Sequence, residues 1–298
     1  MRADRPLLGI FLMIGFAVFA PGMDAMAKLV ASDIPVGQIA AFRFSIQAAL
    51  LIPVAIVLGH AHWPTFHEAG LHLLRAVLIV VATSCFFYAL RSMPIADAIS
   101  IFFVEPFILT LLGGLILKEA VGLRRIIACL VGFGGALLVI KPSFAELGLV
   151  AALPLVTALL FAFYMLLTRS MAQKMNPIAL QGYTAVAAMI IVFPSLALMD
   201  GTGSALLDPV LPTSNQLIWL VGVGVMATFT HIMLSFALAF APASTIAPLQ
   251  YIEIISATLL GMWIFGDFPD GLTWIGIAII VGSGIYVFHR ERLAQSAT

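Results

Sequence analysis

Long apolar runs recur along the entire chain, separated by short breaks rich in polar residues, Pro and Gly. Ten runs stand out, at about 7–30, 36–58, 72–90, 96–117, 123–140, 147–168, 178–198, 217–240, 243–265 and 272–288. A helix rises 1.5 Å per residue, so roughly 20 apolar residues cross the hydrocarbon core of a bilayer. The pattern predicts an all-α polytopic membrane protein of ten transmembrane helices. No connection exceeds about twenty residues, so no soluble domain fits in a loop. The longest, around Asp200 to Gln216, is rich in Gly, Pro, Ser and Asp and carries no Lys or Arg.

Two stretches repeat without a gap at an offset of 148 residues. Tyr88-Ala89-Leu90, Pro94, Glu105, Thr110-Leu111-Leu112-Gly113, Ile116 and Glu119 lie over Phe236-Ala237-Leu238, Pro242, Glu253, Thr258-Leu259-Leu260-Gly261, Ile264 and Asp267. Nine of the 32 positions from 88 to 119 are identical, and each copy carries a lone glutamate inside an apolar run. The expected organisation is two five-span repeats, 1–142 and 143–298. An odd number of spans makes the second copy enter the membrane upside down, so the halves are expected to be inverted about an axis in the membrane plane. Beyond spans 4 and 9 the register slips, and spans 1–2 match 6–7 only loosely.

Composition agrees with the pattern: 62% of residues are hydrophobic and only 9% charged, against about a quarter in soluble domains. The net charge of +0 leaves no electrostatic footprint for nucleic acid. Cys85 and Cys129 both fall in apolar runs and read as core packing rather than a disulfide. The first run follows Arg2 and Arg5, as a signal peptide would. It is long, lacks a clear cleavage site and is one of many such runs, so it is expected to be retained. With the N-terminus cytoplasmic, Arg2, Arg5, Arg75, Lys118, Arg124, Arg125, Arg169, Lys174, Arg290 and Arg292 fall inside. Lys28, Arg91 and Lys141 fall outside, and Arg43 is intramembrane. Ten against three satisfies the positive-inside rule and predicts an inner-membrane protein with both termini cytoplasmic.

Acids inside a bilayer are expensive and mark candidate sites. Glu105 and Glu253 each lie roughly 13–15 Å into their spans, near the midplane. As a pair they suit a cationic or amino-bearing substrate, or a coupling proton. A protonated glutamate bonded to a neighbouring helix is the structural alternative. Pro106 weakens the helix beside Glu105 and can free a carbonyl.

Asp24 and Arg43 fall at nearly equal depth on consecutive antiparallel spans and can pair, with Lys28 competing for Asp24. The pair reads either as structural or as an outer gate or carboxylate clamp, since Arg presents a bidentate fork. Gln47 extends the same polar face. Thr228, His231 and Ser235 share one face of span 8. His231 aligns with Thr83, so it is not part of the shared scaffold, and it reads as either a core residue or a proton relay. Tyr88, Phe102, Phe103, Tyr164 and Tyr251 are candidate cavity walls or plain packing, Tyr251 being favoured by its nearness to Gln250 and Glu253. The candidate substrate-binding set is therefore Glu105, Glu253, Arg43, Asp24, His231, Tyr88 and Tyr251. Gly-rich clusters such as Gly132-Phe133-Gly134-Gly135 and Gly222-Val223-Gly224 allow close helix packing. His60, His62 and His67 with Glu68 match no metal template and read as a solvated loop.

Several of these features together resemble the EamA-type branch of the drug/metabolite transporter superfamily. They are the two five-span halves, Phe42-Arg43-Phe44 in span 2, Gly113…Lys118-Glu119 closing span 4, and Pro94 and Pro242 opening spans 4 and 9. The run Phe265-Gly266-Asp267-Phe268-Pro269-Asp270 before Trp274-Ile275-Gly276 also fits, with Asp267 standing where a glutamate is usual. The resemblance implies inner-membrane secondary transport of amino acids, other metabolites or drugs, most often outward.

Enzyme motifs such as HExxH and GxSxG are absent, as is a nucleotide-binding loop. No cofactor is expected. A channel filter or oligomeric pore is not evident either. The leading expectation is an exporter of amino acids or related zwitterions, acting as monomer or homodimer in the lipid bilayer, with a small-molecule substrate and a proton as candidate coupling ion. The alternatives are uptake or exchange of a cationic metabolite, sulfonium or amine, and drug export.

Overall fold

The computed structural model describes residues 5–118, 122–139, 148–266, 271–272, 274–276, 278–279, 282–283 and 285–286. Arg2, Glu119, Lys141, Asp267–Asp270, Arg290 and Arg292 lie outside the described residues, as do the side chains of Arg124 and Arg125. The described residues are helical: α1 (Pro6–Val30), α2 (Val36–Val57), α3 (Phe66–Leu90), α4 (Ile95–Phe102), α5 (Glu105–Ile116) and α6 (Leu123–Val139). A 3-10 turn (Gly148–Ala152) leads into α7 (Leu153–Ala172), followed by α8 (Pro177–Met199) and α9 (Ser214–Phe240). Then come α10 (Ala243–Ile246), a 3-10 stretch (Ala247–Ile252), α11 (Glu253–Leu260) and a π turn (Gly261–Phe265). Seven helical segments among the described residues are long and apolar enough to cross a membrane.

Spans 4 and 9, expected as continuous helices, are both interrupted, and at the same place. The chain leaves the helix after Phe102 and re-enters at Glu105; in the second copy a 3-10 stretch runs to Ile252 and α-helix resumes at Glu253. Pro106 and Pro248 supply part of the reason, since a proline ring lacks the N–H a helix interior needs. Breaks at membrane depth are tolerated where protein satisfies the backbone. Tyr251 does so here, donating its hydroxyl toward Phe103 O at 3.2 Å and Cys129 O at 3.1 Å.

Helix α3 begins at Phe66, earlier than the apolar run, and α9 at Ser214. Thr65 caps α3 and Thr213 caps α9, each in a reciprocal capping box with the residue three positions on, Glu68 and Gln216. These caps are again 148 residues apart, so the repeat reaches upstream of Tyr88. At its far end α9 leaves carbonyls that need donors. Arg169 Nη1 reaches Leu238 O (2.8 Å), Gln173 Nε2 reaches Ala239 O (2.7 Å) and the amide of Arg5 reaches Phe240 O (2.8 Å).

The core lies between the two copies. The first helix of each copy packs against the third of the other: α1 on α9, and α7 on α3. The two second helices, α2 and α8, pack on one another, as α1 on α11 is matched by α7 on α5. Phe103 and Tyr251, the same position of the two copies, meet edge to face at 5.2 Å. Close approach needs small residues: a Cβ on Gly224 would stand 2.6 Å from Ile46 Cδ1, and one on Gly132 only 2.4 Å from the Tyr251 ring. The loop after α8 is pinned to the start of α2, with Gly37 N donating to Leu206 O (2.9 Å) and Gln38 exchanging two hydrogen bonds with Val210.

Candidate functional site

Seven helical elements converge on one cavity, which with its open mouth spans about 540 Å³ of space free of protein atoms. Helix α1 contributes Phe16, Ala20, Met23 and Asp24; α2 contributes Arg43; α3 contributes Ile79, Ala82, Thr83, Phe86 and Phe87. Phe102 closes it from α4, Thr157 and Phe161 from α7, His231 from α9 and Glu253 from α11. Glu253 stands where the 3-10 stretch passes into α11, with its own amide already bonded to the preceding turn.

Arg43 is 2% exposed, and its guanidinium is held by two residues from different copies. Nη1 donates to Thr83 Oγ1, and Nη2 lies 2.8 Å from His231 Nε2. His231 Nδ1 sits 3.1 Å from Ala227 O, a pure acceptor, so that nitrogen carries the proton and Nε2 accepts from Arg43. The expected Asp24–Arg43 ion pair is not formed: among the described residues no carboxylate lies within 4.0 Å of Arg43. A hydroxyl and an imidazole occupy the fork instead. Lys28 does not take Asp24 either; its Nζ donates to Met93 O at 2.6 Å.

Three buried polar atoms at the cavity have no hydrogen-bond partner among the described residues: Asp24 Oδ1, Arg43 Nε and Glu253 Oε2. Asp24 is 4% and Glu253 5% exposed. A buried, unpartnered carboxylate oxygen costs roughly 1–3 kcal/mol or more, so such atoms point to a ligand or a proton that completes them. An aromatic arc stands in the same wall. Ring contacts run Phe16 to His231 (6.1 Å), His231 to Phe161 (6.4 Å), Phe161 to Phe102 (5.6 Å) and Phe102 to Phe86 (6.0 Å).

Beyond His231, outside the cavity lining, lies a network of hydrogen-bonded polar residues. Gln181 Nε2 donates to His231 O (3.1 Å) and Ser235 Oγ (2.5 Å), and meets Tyr164 OH at 2.9 Å and Gln47 Nε2 through Oε1 at 3.2 Å. Tyr164 OH accepts in turn from Arg75 Nη2 (3.1 Å). Arg75, expected among the cytoplasmic basic residues, is fully buried. Thr168 Oγ1 (3.0 Å), Leu180 O (3.2 Å) and Thr184 Oγ1 accept its remaining hydrogens, and its guanidinium lies over the Tyr164 ring at 4.8 Å. Sequence reasoning named Gln47, Tyr164, His231 and Ser235 but missed the network that joins them to Arg75 and Gln181, because its members are spread over five different helices.

The other expected site residues lie elsewhere. Glu105 is fully buried outside the cavity lining; its Oε2 accepts from Gln250 Nε2 at 2.6 Å and its Oε1 has no partner among the described residues. Tyr251 is buried against Gly132 and holds backbone carbonyls. Tyr88 lies at the end of α3 with the Arg91 guanidinium 5.9 Å from its ring centre. Of the seven expected residues, the fold brings Asp24, Arg43, His231 and Glu253 together. His62 approaches Glu68 at 3.6 Å, and no group of three or more His, Cys, Asp or Glu among the described residues can hold a metal ion.

Comparison with known proteins agrees with this architecture. The family model described as "EamA-like transporter family" matches twice, over residues 7–141 and 147–288. A riboflavin transporter of Vibrio cholerae serotype O1 is 29% identical over 96% of this chain and 95% of its own length. An S-adenosylmethionine uptake transporter of Rickettsia bellii is 24% identical over 97% and 96%, and that of Rickettsia prowazekii 23% over 92% and 90%. A solved crystal structure superimposes with a TM-score of 0.73 over 97% of this chain and 98% of that one, at 19% identity. The chain is thus a multi-pass membrane transporter, not an enzyme, and belongs to the EamA-like transporter family.

Proposed function

We propose that this protein is a secondary transporter of the bacterial inner membrane, and that its substrate rests in the cavity bounded by Asp24, Arg43, His231 and Glu253. Two inverted five-span halves, related by an axis in the membrane plane, rock around that site with both termini cytoplasmic. Crosswise packing of α1 on α9 and α7 on α3, and the contact of Phe103 with Tyr251, support that symmetry.

The substrate is a small polar metabolite with a cationic centre and a carboxylate. The unpartnered oxygens of Asp24 and Glu253 carry this reading, because a cation in the cavity would complete both. Arg43, with Nε still free, would take the carboxylate. The aromatic arc suits a flat ring or an alkylated cation. S-adenosylmethionine, named for two of the relatives, has all of these parts, so uptake of such a sulfonium compound stands ahead of amino-acid export here. A flavin is the second reading, favoured by the 29% identical relative and by the arc. Counterflow of labelled S-adenosylmethionine, riboflavin and amino acids in proteoliposomes tests these readings. Exchange of S-adenosylmethionine alone supports the first, exchange of riboflavin alone the second, and exchange of amino acids alone restores the export reading.

A further inference from the structure

The two glutamates of the repeat occupy the same position, yet the fold treats them differently. Each opens a helix that packs on the element of the opposite copy carrying the residue one turn before the partner glutamate: α5, opened by Glu105, packs on the 3-10 stretch that carries Gln250, and α11, opened by Glu253, packs on α4, which ends at Phe102. Gln250 and Phe102 are themselves equivalent, 148 residues apart. Gln250 donates to Glu105 Oε2 at 2.6 Å, leaving Glu105 Oε1 unpartnered among the described residues in the protein interior, away from the cavity lining, whereas Phe102 has no hydrogen to offer Glu253 and lines the same cavity as that acid.

We infer that Gln250 and Phe102 are positioning residues that divide the labour of the repeat. Gln250 ties Glu105 into the contact between the halves as a structural acceptor. Phe102 leaves Glu253 undonated, so that Glu253 and Asp24 together form the one cation site of the cavity. The ligand of that site is a single positive charge, either the substrate's cationic centre or a coupling proton. An amide at 102 would donate to one oxygen of Glu253, as Gln250 does to Glu105, and would compete with a ligand for the site. The inference rests on the cavity being the transport site, but it concerns which acid is reachable and can be read without any substrate.

A hydrophobic carbodiimide provides that reading. It adds the O–H of a carboxyl across one C=N bond, and the adduct rearranges to a stable N-acylurea that peptide mass spectrometry locates. In purified protein, Glu253 is expected to be modified at least tenfold faster than Glu105, with tetramethylammonium slowing the reaction at Glu253. Phe102→Gln should cut modification of Glu253 at least fivefold at an unchanged melting temperature, while Phe102→Leu should leave it near the wild-type rate. Equal modification of both glutamates, or modification of neither, overturns the inference, as does undiminished modification of Glu253 in folded Phe102→Gln. Should Phe102→Gln not fold, the wild-type ratio decides. A protein that passes this test yet moves none of the labelled compounds would refute the proposed substrates and leave the division of labour standing.

Discussion

Thr83 and His231 sit 148 residues apart at the same position of two copies, and both hold one guanidinium, that of Arg43. The repeat was free to diverge here because each side chain supplies an acceptor of its own. An ammonium is a point donor that cannot reach both at the fork geometry. Arg43→Lys should therefore lower transport at least tenfold while the protein still folds, and Thr83→Val should cost about 1.5–3 kcal/mol of stability by removing one acceptor of a charged group. Transport rates and melting temperatures of the two variants check this; full activity in Arg43→Lys would mean the fork is not used.

Asp24 and Glu253 should trade stability against function. Each buries a carboxylate oxygen without a partner, so replacing the acid by its amide relieves a desolvation cost. Asp24→Asn and Glu253→Gln are expected to melt no lower than wild type, and their transport to fall at least tenfold. Glu105→Gln is expected to keep transport within about threefold, since it lies outside the cavity lining. A melting temperature that drops in the first two variants would mean that their carboxylates have partners.

How much of this was legible in the sequence depends on what each feature needs. The apolar runs, which are local, locate the seven helical segments long enough to cross a membrane. The helix starts at Phe66 and Ser214 were also readable, because Thr65-x-x-Glu68 and Thr213-x-x-Gln216 are capping boxes; hydropathy alone hid them. Partners were not legible. Charge suggested Asp24 for Arg43, but the fold delivers a threonine from α3 and a histidine from α9. Nothing local tells that Gln250 reaches Glu105 across 145 residues.

The polar network beyond His231 should be cooperative. Tyr164→Phe removes an acceptor of Arg75 and a partner of Gln181 at once, for an expected loss of about 1–3 kcal/mol. Tyr164→Phe combined with Gln181→Leu should cost less than the sum of the two alone. Thermal unfolding of the single and double variants measures this, and strict additivity would show that the two do not share a network.

Packing at the centre gives a control within one helix. Gly132→Ala would place a Cβ 2.4 Å from the Tyr251 ring, whereas a Cβ at Gly134 meets nothing within 4 Å. Overpacking of this kind costs about 1–3 kcal/mol. Gly132→Ala should lower the melting temperature by several degrees and Gly134→Ala should not; equal effects would place Tyr251 away from α6.

The most direct measurement of the central claim is counterflow of labelled S-adenosylmethionine into proteoliposomes carrying wild type, Glu253→Gln, Arg43→Gln or Tyr88→Phe. Exchange is predicted for wild type and for Tyr88→Phe, whose ring lies outside the cavity lining, and its loss is predicted in Glu253→Gln and Arg43→Gln at comparable protein incorporation. Undiminished exchange in both cavity variants would contradict the claim that substrate passes between these residues.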